Sequence, residues 1–195
     1  RLAVVGAKGS GKSTLARFLL NRLLSRWPAV YFLDADVGQP EFSPAGIVSI
    51  SRVEAPLLGP PATHLSREWE AAAFSGEVSP EEDPERYRAC LQSVAAAADS
   101  IEARDARLLG APGGVTPPML INTSGWVKGL GLELLGEIVA GCRAMHLVVC
   151  QVGNARKDLP LPRAKTPAGP SKRALKRRGV APDPTQPVAE RGGGR

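Results

Sequence analysis

The sequence has few of the residues that mark disulfide-rich, zinc-binding or membrane-spanning proteins. Its 195 residues include three cysteines, Cys90, Cys142 and Cys150, and two histidines, His64 and His146. An odd number of widely spaced cysteines argues against a disulfide framework, and so few Cys and His residues give no zinc-ligand spacing. No apolar run approaches the roughly 18 residues of a transmembrane helix, and no signal peptide precedes the first predicted strand. We therefore expect a soluble intracellular protein.

Charge is distributed unevenly along the chain. Residues 155–195 contain 11 Lys and Arg against 3 Asp and Glu, whereas residues 1–154 contain 14 against 16. Residues 155–195 also lack apolar periodicity and are rich in proline and glycine, which predicts a disordered basic tail. A polyanionic partner would be attracted mainly by this tail, so recognition by residues 1–154 requires a local site.

Apolar periodicity in residues 1–154 predicts alternating strands and helices. The predicted strands are 2–5, 30–33, 119–121 and 145–150, and the predicted helices are 12–26, 83–107 and 130–138. Proline and glycine interrupt residues 41–65, which we expect to form a long connection with one short strand near 47–50. The alternation predicts an α/β fold with a doubly wound, mostly parallel sheet. Because Arg1 rather than Met opens directly on a strand, we interpret the chain as a fragment of a longer protein.

The first predicted strand leads into GAKGSGKS, residues 6–13, which fits the Walker A pattern of phosphate-binding loops. Its glycines allow backbone N–H groups to point inward at the start of a helix, where the helix dipole favours anions. Lys12 is expected to reach the β- and γ-phosphates, and Ser13 to supply an oxygen ligand for Mg²⁺. The sequence therefore predicts a site for ATP or GTP with Mg²⁺ that is formed by Gly6, Ala7, Lys8, Gly9, Ser10, Gly11, Lys12, Ser13 and Thr14.

The second predicted strand ends in DADVGQ, residues 34–39. Asp34 and Asp36 are two residues apart, which predicts that their carboxylates share one face of the strand. In a P-loop domain the tip of this neighbouring strand faces the γ-phosphate, so one carboxylate is expected to hold Mg²⁺ directly or through water. A carboxylate near an incoming hydroxyl can act as a general base. The alternative is a pair of acidic caps that begin a loop.

The third predicted strand is followed by SGWVKG, residues 124–129, at the edge where open α/β sheets bind their ligands. Trp126 could present its ring for stacking on a nucleobase, with Lys128 reaching a phosphate. Large aromatic residues are usually buried, so ordinary packing is an equal alternative. The residues alone leave both interpretations open.

Four stretches carry a resemblance to a known family: GAKGSGKST, YFLDADVGQPEFSPAG, FSGEVSPEEDPERY and MLINTSGWVKGLGLELL. Together they span most of residues 2–150 and resemble, in the same order, the polynucleotide 5′-hydroxyl kinase family. The likeness is greatest to its nucleolar branch, which acts in ribosomal RNA processing. A Walker A pattern alone is unspecific, whereas the DxGQ and GWVKG blocks are selective. The resemblance implies transfer of the ATP γ-phosphate to the 5′-hydroxyl of RNA, with DNA as a further acceptor.

The resemblance also assigns roles to individual residues. Asp36 matches the general base and metal-site residue, Gln39 a polar partner near Mg²⁺ and substrate, and Lys12 completes the catalytic set. The implied metal ligands are Ser13 and Asp36, and the implied substrate-binding residues are Ser79, Gly125, Trp126 and Lys128. A nuclear, nucleolar location and a protein partner in an RNA-processing complex are implied as well. The transferase prediction requires Lys12 and Asp36 to lie at the same edge of the sheet.

Two other functional classes remain as alternatives. The family's kinases carry lid arginines after the strand that residues 145–150 resemble, and no counterpart is recognised here, which favours an ATP-binding scaffold without phosphoryl transfer. An ordinary GTPase switch would need an N-K-x-D motif, and residues 154–158 do not have that spacing. The basic cluster at residues 171–178 predicts a nuclear or nucleolar address or a weak RNA contact, with a solvated disordered run as the alternative.

Overall fold

The structure is a computed structural model and describes residues 1–65, 68–108, 116–154 and 156–160. These residues form six strands, β1 (Leu2–Gly6), β2 (Val30–Asp34), β3 (Ile47–Val53), β4 (Ala71–Phe74), β5 (Met119–Asn122) and β6 (His146–Cys150). They also form three α-helices, α1 (Lys12–Leu24), α2 (Pro84–Leu108) and α3 (Leu130–Gly141), and a short 3-10 turn at Pro61–Thr63. Apart from residues 156–160, the predicted tail lies outside the described residues, and its disorder stays a prediction.

The six strands form one mostly parallel sheet in the order β4-β3-β2-β5-β1-β6, which confirms the predicted fold class. Strands β2, β5, β1 and β6 are parallel, and β3 and β4 continue the sheet antiparallel from β2. Strands β2 and β5 are buried along their whole length, as is typical of parallel strands covered on both faces.

One expectation about strand order is wrong. Strand β5 lies between β1 and β2, so the strand that ends at Asp34 is not the neighbour of the P-loop strand. Strands that follow one another along the chain are spatial neighbours only about two thirds of the time, so sequence order could not decide this. Strand β5 is therefore the neighbour of β1 on this side, and Asp36 follows the next strand, β2.

Strands β3 and β4, which extend the sheet antiparallel from β2, are the part of the sheet that the sequence predicted least well. Strand β3 runs from Ile47 to Val53, longer than the short strand expected near residues 47–50. Strand β4 was not predicted, because its sequence AAAF contains mainly alanine, which has low strand propensity. Main-chain pairing with β3, rather than side-chain preference, defines β4.

Helices cover both faces of the sheet and bury two separate apolar clusters. One cluster joins the sheet to α2 and α3 and includes Tyr31, Leu33 and Ile121. The other joins the sheet to α1 and includes Val4, Leu20 and Phe32. Alternate residues of β2 thus enter opposite clusters, as strand geometry requires.

Helix α2 begins as the sequence predicts. The Asp83 Oδ1 atom accepts a hydrogen bond of 3.0 Å from the Arg86 backbone N–H, and Pro84 occupies the first turn. The thiols of Cys90, Cys142 and Cys150 are free. In the described part of the chain, no helix is both long and apolar enough to cross a membrane.

Candidate active site

The loop between β1 and α1 has the backbone shape of a phosphate cradle. Gly9 and Gly11 adopt positive φ values of 77° and 86°, a conformation that other residues rarely adopt. The Ser10 N–H donates to the Ala7 carbonyl at 3.1 Å, which closes the turn. Helix α1 starts at Lys12, so its free N–H groups and its positive dipole end face the loop.

A cleft of about 710 Å³ opens in front of this loop. Its walls come from the P-loop, the loop after β2, a segment before α2 and the loop after β5. The predicted site residues that line it are Lys8, Gly9, Gly11, Lys12, Ser13, Thr14, Asp36, Gln39, Ser79, Gly125 and Trp126. Gly6, Ala7 and Ser10 belong to the loop backbone and do not line the cleft.

Lys12 is a buried cation that extends into the loop. Its side-chain Nζ donates to the Ala7 carbonyl at 3.1 Å, and the residue is 7% exposed. Burial lowers the pKa of Lys12 below its ordinary value, and the negative charge of Asp36 acts in the opposite direction. An ammonium group has three donors, so two remain for phosphate oxygens.

Asp36 lies in the same cleft and is oriented by its own loop. Its Oδ1 atom accepts backbone hydrogen bonds from Gly38 at 3.2 Å and Gln39 at 3.3 Å. Burial raises the pKa of Asp36, while these N–H groups and the charges of Lys12 and Lys8 oppose the increase. Lys12 and Asp36 therefore lie at the same edge of the sheet, which meets the geometric requirement of the transferase prediction.

Asp34, the other carboxylate of the motif, supports this loop and does not line the cleft. It is fully buried, and burial raises its pKa to about 7. Its Oδ1 accepts from the Asp36 N–H at 3.2 Å and the Asn122 amide at 3.0 Å, and its Oδ2 accepts from the Glu41 N–H at 2.6 Å. The spacing of the motif left the two carboxylates equivalent, and the structure separates them.

Trp126 both lines the cleft and packs on the fold. The half-buried ring contacts the apolar cluster beneath α2 and α3. It lies so close to α3 that a Cβ at Gly131 would be 2.3 Å from the indole Cγ. The glycine therefore lets the helix backbone approach the ring. Packing and presentation to the cleft, which the sequence left as alternatives, both apply to this residue.

The other predicted substrate residues differ in position. Gly125 adjoins the P-loop, since a Cβ there would be 2.7 Å from the Lys8 backbone nitrogen. Ser79 is half-buried, and its Oγ accepts from the Glu81 N–H at 3.3 Å. Lys128 is exposed, donates to the Arg156 carbonyl and does not line the cleft.

Some lining residues were not predicted as site residues: Gly38, Val78, Glu81 and Ser124. They belong to the same motif segments as predicted residues, but their types carry no specific chemical signal. Proximity to Asp36, Ser79 and Gly125 in the sequence was the only available indication.

The family model described as mRNA cleavage and polyadenylation factor CLP1 P-loop matches residues 6–173. The chain belongs to the CLP1 P-loop family. The resemblance predicted from the four stretches is thereby confirmed at the level of the family.

Proteins named polynucleotide 5′-hydroxyl-kinase are similar over most of the chain. Polynucleotide 5′-hydroxyl-kinase NOL9 of Danio rerio is 36% identical over 154 residues, which cover 79% of this chain and 19% of that protein. Polynucleotide 5′-hydroxyl-kinase grc3 of Schizosaccharomyces pombe is 37% identical over 153 residues, which cover 76% and 20%. The chain thus spans about one fifth of the length of these relatives.

A solved structure of the CLP1 P-loop family has the same fold. A chain of the wild-type Clp1p-Pcf11p (454-563) complex superposes with a TM-score of 0.60 at 20% identity. The match covers 80% of this chain and 38% of that chain. At this identity the likeness establishes the arrangement of strands and helices and leaves side-chain roles to the geometry described above.

The cleft of this CLP1 P-loop family member suits a nucleoside triphosphate with Mg²⁺. The P-loop supplies inward N–H groups and a buried ammonium for the phosphates. The Ser13 hydroxyl and the Asp36 carboxylate line the cleft and are hard oxygen ligands of the kind that Mg²⁺ prefers. These two residues could hold the metal ion.

The contact between Gly125 and the P-loop gives a test of the cradle. A methyl group in Gly125→Ala would collide with the Lys8 backbone and displace the loop. We expect the affinity for a fluorescent ATP analogue to fall about tenfold or more, or ~1.4 kcal/mol. The measurement is a fluorescence titration with purified protein.

The matched control for this substitution is Gly136→Ala in α3. No atom lies within 4 Å of a Cβ at that position, so nucleotide affinity is expected to stay unchanged. If Gly125→Ala bound the ATP analogue as tightly as the parent, the contact between Gly125 and Lys8 would have no role in shaping the cradle.

Proposed function

We propose that this chain is the nucleotide-binding and catalytic part of a polynucleotide 5′-hydroxyl kinase. It transfers the γ-phosphate of ATP to the 5′-hydroxyl of RNA, with DNA as a further acceptor, in ribosomal RNA processing. The observation that carries the proposal is the presence of Lys12 and Asp36 in one cleft with an intact P-loop. The names of the relatives, polynucleotide 5′-hydroxyl-kinases, support the choice of acceptor.

The proposed division of labour follows from charge and position. The P-loop amides and Lys12 bind the β- and γ-phosphates and stabilise the charge that develops on transfer. Asp36 accepts the proton of the 5′-hydroxyl, and its raised pKa makes it a stronger base than an exposed aspartate. Ser13 and Asp36 hold Mg²⁺, which when bound neutralises phosphate charge. Gln39, exposed at the cleft, orients the groups around the transferred phosphate.

The acceptor is proposed to bind at the far wall of the cleft. The part of the Trp126 ring that lines the cleft stacks on the terminal base, a contact worth about 1–3 kcal/mol. Ser79 and the Gly125 backbone border the same space and contact the terminal nucleotide. Lys128 reaches a more distant phosphate once it leaves the Arg156 carbonyl.

The cellular setting is proposed from the same family branch. We place the protein in the nucleus, specifically the nucleolus, with a protein partner in a ribosomal RNA-processing complex. The basic residues of the 155–195 segment suit attraction to RNA.

A second candidate function is an ATP-binding scaffold that transfers no phosphate. One observation favours it: in the described residues after β6, the sole arginine, Arg156, is exposed and does not line the cleft. Arginines over a transferring phosphate contribute about 10³–10⁵ in rate, so a chain without them could bind ATP and turn it over slowly.

The kinase proposal predicts a specific loss in Asp36→Ala. We expect kcat for transfer of labelled γ-phosphate to a 5′-hydroxyl oligoribonucleotide to fall about 10²- to 10⁴-fold, because the base is removed. The dissociation constant for ATP measured without Mg²⁺ should change by less than about threefold, because Lys12 and the P-loop remain. The chain is tested beside the full-length protein, with Lys12→Ala as an inactive reference.

Two results would go against the proposal. Equal transfer rates for Asp36→Ala and the parent would remove Asp36 as the base. Tight ATP binding with no labelled oligonucleotide from the full-length protein would favour the scaffold.

The stacking role predicts a change in oligonucleotide binding in Trp126→Leu. Leucine keeps an apolar side chain against α3 and removes the aromatic face, so KM for the oligonucleotide should rise about 5- to 100-fold. The rate at saturating oligonucleotide should change little. Trp126→Phe, which retains a ring, serves as the matched control and should lie close to the parent. A lower melting temperature with unchanged KM would show that Trp126 serves only in packing.

A further inference from the structure

A buried carboxylate joins the loop after β2 to helix α1. The Glu41 side chain is 5% exposed, and its Oε2 accepts from the Arg17 Nε at 2.9 Å. Its Oε1 lies 2.8 Å from the Nδ1 of His64, which follows the short 3-10 turn. Glu41 thus connects a helix, a loop and a turn that are distant in sequence.

The backbone of Glu41 fixes the loop that carries Asp36. The Glu41 N–H donates to Asp34 Oδ2, and the Asp36 N–H donates to Asp34 Oδ1. Both ends of the segment from Asp36 to Glu41 are therefore held by one buried carboxylate. The Glu41 side chain then attaches this segment to α1 through Arg17.

Arg17 lies one helical turn after Ser13, so both side chains project from the same side of α1. A second cavity, of about 410 Å³, lies between the ion pair and the main cleft. It is lined by Ser13, Arg17, Gln39, Pro40, Glu41 and Pro61, and it shares Ser13 and Gln39 with the main cleft. The ion pair therefore lies directly behind the residues that face the phosphates.

Burial of Glu41 distinguishes this pair from ion pairs on the surface. The Glu41 side chain is 5% exposed and that of Arg17 is 29% exposed, so solvent screens the pair only in part, and loss of Arg17 would remove a cation from beside a buried carboxylate. The pair between Arg88 and Glu137, which joins α2 to α3, differs in its carboxylate, because Glu137 is 45% exposed whereas the two arginines are about equally exposed, Arg88 at 31% and Arg17 at 29%. Such exposed pairs contribute little to position or stability.

We propose that Glu41 and Arg17 form a positioning pair that holds the P-loop helix against the Asp36 loop, so that Ser13 and Asp36 act on the same Mg²⁺. This inference rests on the proposed function, because it assigns a role to residues behind that site. Neither residue of the pair touches the reacting atoms. Arg17 acts through helix α1, which carries Ser13. Glu41 acts through the loop that Asp34 holds, which carries Asp36.

The test measures how much Mg²⁺ improves nucleotide binding. The dissociation constant of a fluorescent ATP analogue is determined with and without Mg²⁺ for the parent and for Glu41→Gln. The Mg²⁺-dependent gain is the ratio of the dissociation constant without Mg²⁺ to that with Mg²⁺. We expect this ratio to be at least about fivefold smaller in Glu41→Gln than in the parent, while the dissociation constant without Mg²⁺ changes less than about twofold. Glu137→Gln, which removes the same charge from the exposed pair, should match the parent.

A double-variant comparison separates the pair from its single members. Arg17→Met and Glu41→Gln should each reduce the Mg²⁺-dependent gain, and the combined variant should be no worse than either single one, because the two side chains act as a unit. Additive losses would overturn the assignment of the pair.

Further outcomes are also decisive. An unchanged Mg²⁺-dependent gain in Glu41→Gln would overturn the proposal, as would an equal loss of affinity with and without Mg²⁺ accompanied by a lower melting temperature. Failure of the kinase proposal is seen separately, as full-length parent protein that transfers no phosphate. In that case a selective loss of Mg²⁺-dependent gain would still support the positioning pair.

Discussion

The placement of the Lys12 ammonium and the Asp36 carboxylate in one cleft is the constraint on which the site depends. Both groups are withdrawn from water, and burial alone would favour their neutral forms. Each charge offsets part of the other's desolvation, so the cleft retains a cation for phosphate and a base for a hydroxyl. Such a pair functions only when the elements that carry it are held at a fixed separation.

Hydrogen bonds and close contacts between the strand ends fix much of that separation. Strand β5 lies between the P-loop strand and β2, and Gly125, in the loop that follows β5, touches the P-loop. Asp34 holds the loop that presents Asp36, and Asn122 at the end of β5 holds Asp34. The three strand ends are thus connected by hydrogen bonds and close contacts at the edge where ligands of open α/β sheets bind.

Much of this arrangement could be predicted from the sequence. The strand, loop and helix of the P-loop follow from GAKGSGKS between two apolar patterns, and the capped start of α2 follows from Asp83 and Pro84. The order of the strands could not be predicted, because periodicity defines the elements and leaves their neighbours open. The separate roles of Asp34 and Asp36 also depended on burial, which two-residue spacing does not reveal.

The Arg17–Glu41 pair illustrates why the rest was not visible in the sequence. These residues are 24 positions apart and have types that are common on protein surfaces. Only the fold brings them together and buries the Glu41 carboxylate. Trp126 is a related case, because the glycine that accommodates its ring lies in the following helix, and the side chain serves both the core and the cleft.

The most direct test of the central claim is a crystal structure of the full-length protein with a non-hydrolysable ATP analogue, Mg²⁺ and a 5′-hydroxyl oligoribonucleotide. We expect Lys12 on the terminal phosphates and the Asp36 carboxylate at about 3 Å from the 5′-hydroxyl oxygen. A 5′-hydroxyl bound away from Asp36, with Lys12 still on the phosphates, would contradict the account.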